Sequence, residues 1–147
     1  MTKRDSICLL RECDAGADMA IYAMEVTGKT VKNRALRRAL RDCRQHHLSL
    51  KARITEQLNV FSADPKALPS MTKLMAWMKI RWRMLLNPSD RTAAQMLIRG
   101  CRMGTEALQK YLDQYPAATA EARALAAELI CSEGQLCEQL QPFLYSK

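Results

Sequence analysis

The chain has 147 residues, a formal charge of +8 and 48% apolar residues. Its length suffices for one domain that buries its own core without disulfides or metal. No uninterrupted apolar stretch approaches the roughly 18 to 20 residues that cross a bilayer, so a transmembrane role is excluded. Residues 1–5 have no apolar core or small-residue cleavage site of a secretory signal, and six cysteines without a C-x-x-C pair read as reduced thiols. The expectation is a cytoplasmic, single-domain protein.

The first predicted helix runs from about Asp5 to Val26, with Ile7, Leu10, Ala17, Ile21 and Met24 recurring on one face. A short turn at Thr27 to Thr30 makes the second helix its antiparallel neighbour. That helix spans about Val31 to Phe61 and turns Leu36, Leu40, Cys43, His47, Leu50, Ile54 and Leu58 inward. Its far face carries Arg34, Arg37, Arg38 and Arg41. The excess charge is local, because Lys29 to Arg53 holds nine basic residues against Asp42 alone.

Asp64-Pro65 and Leu68-Pro69 stop the second helix and open a crossover. From Ser70 to Leu86 an amphipathic helix places Met71, Leu74, Met75, Met78, Trp82, Leu85 and Leu86 on one stripe, expected to cover the bundle, with Trp77 at its edge or at a dimer contact. The composition also suits an interfacial membrane helix, a reading ranked below packing on the bundle. Asn87 is the expected N-cap of the next helix, with Pro88 at its first position and Asp90 in its first turn. That helix ends near Gln114, with Ala94, Leu97, Cys101, Gly104, Leu108 and Tyr111 inward. The last helix, about Ala117 to Gln141, buries Ala122, Ala126, Leu129, Glu133, Leu136 and Leu140. The fold class expected is therefore all-α: two antiparallel hairpins joined by a long crossover with its own helix, the wiring of a ferritin-like four-helix bundle.

Counting along the helices at about 1.5 Å per residue places Asp14, Cys43, His47, Cys101 and Glu133 near mid-height, close to the apolar stripes. Cys43 and His47, at i and i+4, form a workable chelating pair. A Zn²⁺ or Fe²⁺ held by Asp14, Cys43, His47 and Glu133, with Cys101 as an alternate, is chemically reasonable. The favoured alternative is a core layer that satisfies itself by hydrogen bonds. The di-iron pattern needs Glu-x-x-His on two helices. Neither occurs here, so ferroxidase chemistry is not expected. Gly16, Gly100 and Gly104 lie inside helices, where their cost suggests close helix packing or space for a side chain or ligand.

The segments Cys8-Leu9-Leu10-Arg11-Glu12-Cys13-Asp14-Ala15-Gly16, His46-His47, Gly100-Cys101-Arg102-Met103-Gly104 and Tyr111-Leu112-Asp113-Gln114-Tyr115 together resemble uncharacterised small ferritin-like proteins of anaerobic Gram-positive bacteria. The resemblance spans nearly the whole chain and implies a bundle in a bacterial cytoplasm, with no assigned activity. The functional expectation is a non-catalytic bundle for binding or assembly, with metal binding or redox sensing at the mid-height cluster as the alternative. Homo-oligomerisation fits an assembly role. The arginine face is expected to give weak, salt-sensitive contact with nucleic acid or another anionic surface.

Overall fold

Asn33, Ser89 and Thr119 set the starts of three of the four long helices. Each holds extended backbone, and its side-chain oxygen accepts from amides of the first turn. The computed structural model describes residues 2–65, 75, 78–80, 82–84, 86, 87 and 89–145. Its long helices are α1 (Thr2–Gly28), α2 (Arg34–Val60), α3 (Asp90–Gln114) and α4 (Ala120–Leu140), followed by a 3-10 turn at Gln141–Tyr145. No strand occurs among the described residues. The α-helix stops at Leu140, two residues before Pro142, and a 3-10 turn follows.

Side chains at the helix starts fix the wiring. Asp90, at the head of α3, accepts from the Lys32 and Asn33 amides at the head of α2, both at 2.9 Å. These two helices therefore begin at the same end. At the other end Asp5 accepts from the Ala117 amide and Ser6 from the Thr119 amide, placing the heads of α1 and α4 together. The order is up, down, down, up. Helix α1 packs on α2, α3 and α4, and α4 packs on α2 and α3.

Asp90 shows how a boundary reading shifts. The N-cap of α3 is Ser89, not Asn87. The Asn87 amide donates to the Arg83 carbonyl at 3.0 Å, so Asn87 closes the preceding segment. Pro88 lies outside the described residues.

Residues 75, 78–80, 82–84 and 86 of the crossover are helical. Ile80 and Met84 are buried, whereas Met75, Met78, Trp82 and Leu86 are each more than half exposed. The expected stripe therefore faces away from the bundle among the described residues. Ile80 is two positions from both Met78 and Trp82, about 200° round the helix, and with Met84 one turn later it forms a narrow seam. Met71, Leu74, Trp77 and Leu85 of the sequence reading lie outside the described residues.

The core divides into two apolar halves. One gathers Leu9, Leu10, Leu50, Ile54, Leu58, Leu108 and Leu129. The other gathers Met24, Leu36, Leu40, Leu97, Ile98, Leu136 and Leu140, together with Ile80 and Met84 from the crossover. Each fully buried leucine contributes roughly 1.5–3 kcal/mol by leaving water. On α2 the step between the halves is His47, on α3 it is Gly104, and on α4 it is Ser132 and Glu133.

Candidate functional site

The polar step between the apolar halves is held by helix register. His47 is one turn after Cys43 on α2, and its Nδ1 lies 3.0 Å from the Cys43 carbonyl oxygen and 3.5 Å from Cys43 Sγ. A carbonyl can only accept, so Nδ1 carries a proton and the ring is fixed by its own helix. Cys43 Sγ is also 3.9 Å from the Ser132 hydroxyl of α4, a contact the sequence reading missed. Beside Ser132, Glu133 brings Oε1 to 3.9 Å from His47 Nε2.

Burial pulls the His47 pKa down, but hydrogen bonding to Cys43 and the nearby carboxyl of Glu133 outweigh it and lift the pKa to about 10. At neutral pH His47 is therefore an imidazolium, with the Glu133 carboxyl facing it. His47 is 0% exposed and Glu133 5%. Their inner atoms, Nε2 of His47 and Oε2 of Glu133, have no hydrogen-bond partner among the described residues. Buried polar atoms left unmatched cost free energy, and in a native protein they call for an explanation.

Both residues line a cavity of about 290 Å³ between α1, α3 and α4. Its walls are apolar, with Met19, Met24, Met96, Leu97, Met103 and Leu136. Gly16 of α1 and Gly100 of α3 both line it, and a Cβ at either would meet nothing within 4 Å. The mouth lies at exposed Gly100 and Met103, and the floor at His47 and Glu133. The volume falls at the lower end of the roughly 300–1,000 Å³ of small-molecule sites.

Cys101 lines the same cavity. Burial first, and then the charges of Glu133, Cys43 and Cys137, push its thiol up to about 12. Cys13, in the lower apolar half, is pushed up to about 12 by burial and by Glu12 and Asp14. Both stay protonated, which suppresses nucleophilic and redox reactivity. All six cysteines are free.

The structure does not bring Asp14 to His47. Its Oδ1 accepts from Lys51 Nζ at 3.1 Å, and Lys51 also lies 3.8 Å from Asp18. Lys51 is one turn beyond His47 on α2, so Asp14 is directed to a neighbouring level rather than to the imidazole. Among the described residues no group of three His, Cys, Asp or Glu side chains is placed to hold a metal. Of the five residues expected at mid-height, the structure brings Cys43, His47, Cys101 and Glu133 to one level and commits Asp14 to Lys51. His46, beside His47 in sequence, is exposed.

Replacing Lys51 by Met keeps the aliphatic stem but strips the ammonium from Asp14, which is only 3% exposed. Urea unfolding should show a loss of about 1–3 kcal/mol, the cost of an unmatched buried acceptor. Adding Asp14→Asn should recover part of it. An unchanged midpoint for Lys51→Met would show that the ammonium does not support the carboxylate.

Arg34, Arg37, Arg38 and Arg41 are all exposed on α2. Arg37 donates to the Val31 carbonyl and Arg41 lies 3.9 Å from Asp42, both local contacts within or just before the helix. Further along α2, Arg44 bridges to Glu25 of α1 with two contacts of 3.0 and 2.8 Å, and Arg53 bridges to Glu128 of α4 at 2.6 Å.

No family model and no curated protein matches the sequence. Among solved structures, the fold is similar to the crystal structure of rv2844, a conserved hypothetical protein from Mycobacterium tuberculosis. The TM-score is 0.69 at 12% identity, over 95% of this chain and 96% of that one. At that identity the likeness concerns the fold alone. No described helix is long and apolar enough to cross a membrane.

Proposed function

We propose that this chain is a non-catalytic, ferritin-like helical bundle that binds a small, largely apolar molecule in the mid-height cavity. The observation that carries the reading is the pair of buried, unpartnered atoms, His47 Nε2 and Glu133 Oε2, at the floor of an otherwise apolar cavity. An apolar pocket with a few convergent polar groups is what a small-molecule site requires. The two hairpins and the long crossover support the ferritin-like description. Thiols that stay protonated support binding rather than chemistry. The free cysteines support a reducing, cytoplasmic setting.

Toluene is a suitable probe because it tests the apolar walls without asking anything of the polar floor. It should raise the melting temperature in a saturable way, as any ligand of the folded state does. Gly100→Leu, placed at the mouth where a Cβ meets nothing, should fold and lose the response. Gly134→Ala, equally open and away from the cavity, should keep it. The absence of any saturable shift in the unsubstituted protein with toluene and with para-cresol alike would overturn the reading.

A further inference from the structure

The floor of the cavity carries more chemical information than its volume. His47 Nδ1 is already committed to the Cys43 carbonyl, so Nε2 is the nitrogen left for a ligand. Glu133 has Oε1 turned toward His47 at 3.9 Å, so Oε2 is the oxygen left. The separation of 3.9 Å is too long for a hydrogen bond between the two groups, and each keeps one site that a third group can satisfy.

We infer that the cavity selects a neutral, flat molecule bearing a hydroxyl, of the phenol class, whose single oxygen sits between His47 Nε2 and Glu133 Oε2 and satisfies both. This rests on the ligand-binding reading above. A hydroxyl is both donor and acceptor on one atom, which suits a ring nitrogen beside a carboxyl oxygen when both lack partners. A carboxylate ligand would satisfy His47 but face Glu133 with like charge. An ammonium would satisfy Glu133 but face a protonated His47. A pure hydrocarbon would fill the walls and leave both atoms unmatched.

The walls favour the flat body. With no side chain at Gly16 or Gly100, α1 and α3 leave a slot between them. Four methionines, at positions 19, 24, 96 and 103, line it. Thioether sulfur makes favourable contacts with aromatic rings of about 0.3–1.5 kcal/mol each, and the flexible methionine chain adapts to a planar guest.

The experiment is a titration of the full chain, carrying isotope-labelled methionine methyl groups, with para-cresol, toluene, para-toluate and para-methylbenzylamine. The methyls of Met19, Met24, Met96 and Met103 report on the cavity directly. Para-cresol should bind at least about tenfold more tightly than toluene, the effect of one or two charge-assisted hydrogen bonds. The acid and the amine should bind more weakly than toluene. In Glu133→Gln the preference for para-cresol over toluene should shrink to about threefold or less, with toluene affinity retained as the sign of an intact cavity. Equal binding of para-cresol and toluene, or tighter binding of the acid or amine, would overturn the hydroxyl assignment while leaving the ligand-binding reading in place. If none of the four probes moves the cavity methyls, both fall together.

Discussion

Between pH 6.5 and 9 the protein should lose stability steadily, at about 1 kcal/mol per pH unit. His47 has an ordinary pKa of 6.5 and is lifted to about 10 in the folded chain. Its folded state holds the proton more tightly than the unfolded state. The corresponding stability is therefore fully present below pH 6.5 and is lost as pH rises toward 10. The groups that face the imidazole are Cys43 on its own helix and Glu133 on α4, with Cys101 of α3 beside Glu133. The acids α1 carries near this height, Asp14 and Asp18, are engaged by Lys51. The window closes at pH 9 because the Cys13 and Cys101 thiols, lifted from 9.0 to about 12, then add their own loss of stability. Glu133→Gln should flatten the slope across the same window. Its stability should fall below that of the unsubstituted protein by about 2–3 kcal/mol at pH 6.5 and converge with it near pH 9. Denaturant midpoints at four or five pH values are enough. A flat profile in the unsubstituted protein would mean that His47 is neutral when folded.

Periodicity carried the inward faces of α2 and α4 well. Every position assigned to the inward face of α2, from Leu36 to Leu58, is buried, as is every one assigned to α4, from Ala122 to Leu140. Long helices with little glycine or proline leave few alternatives to a 3.6-residue repeat. The His47–Glu133 encounter follows from the same repeat, since both lie on the apolar stripe of their own helices. Asp14 also lies on its stripe, but height is set by how α1 slides against α2. Lys51, one turn from His47, decides which partner the carboxylate meets, and a long basic side chain reaching inward is invisible to a count of apolar positions.

The crossover shows a different limit. Its strongest apolar pattern, including Met75, Met78, Trp82 and Leu86, faces outward, while Ile80 and Met84 make the contact. A moment ranks the faces of one helix but contains nothing about a bundle whose other stripes are already buried against each other. The cavity was legible only as a hint. Gly16, Gly100 and Gly104 were expected to mark close packing or space, and the structure separates those roles. Space lies beside Gly16 and Gly100, and a tight approach lies at Gly104.

Gly104→Ala should destabilise the protein by about 2 kcal/mol, against the usual gain of about 1 kcal/mol for replacing glycine inside a helix. The reason is Glu133. A Cβ at position 104 would lie 2.8 Å from Glu133 Oε2, 3.0 Å from Oε1 and 3.2 Å from the carboxyl carbon. A carboxylate is the end of a flexible chain and on an open surface would swing aside at little cost. Here it is buried, with His47 Nε2 already 3.9 Å from Oε1. Moving it away from α3 drives the carboxyl toward the apolar cavity. In a Glu133→Ala background the obstacle is gone, so Gly104→Ala should there raise stability by up to about 1 kcal/mol. The four proteins form a double-mutant cycle whose coupling should reach about 3 kcal/mol, at the upper end for groups in contact. Gly104→Ala should also shallow the pH slope, because a displaced carboxylate no longer holds the His47 proton. Equal effects of Gly104→Ala in both backgrounds would show that the glycine serves α3 alone and does not seat the Glu133 carboxylate.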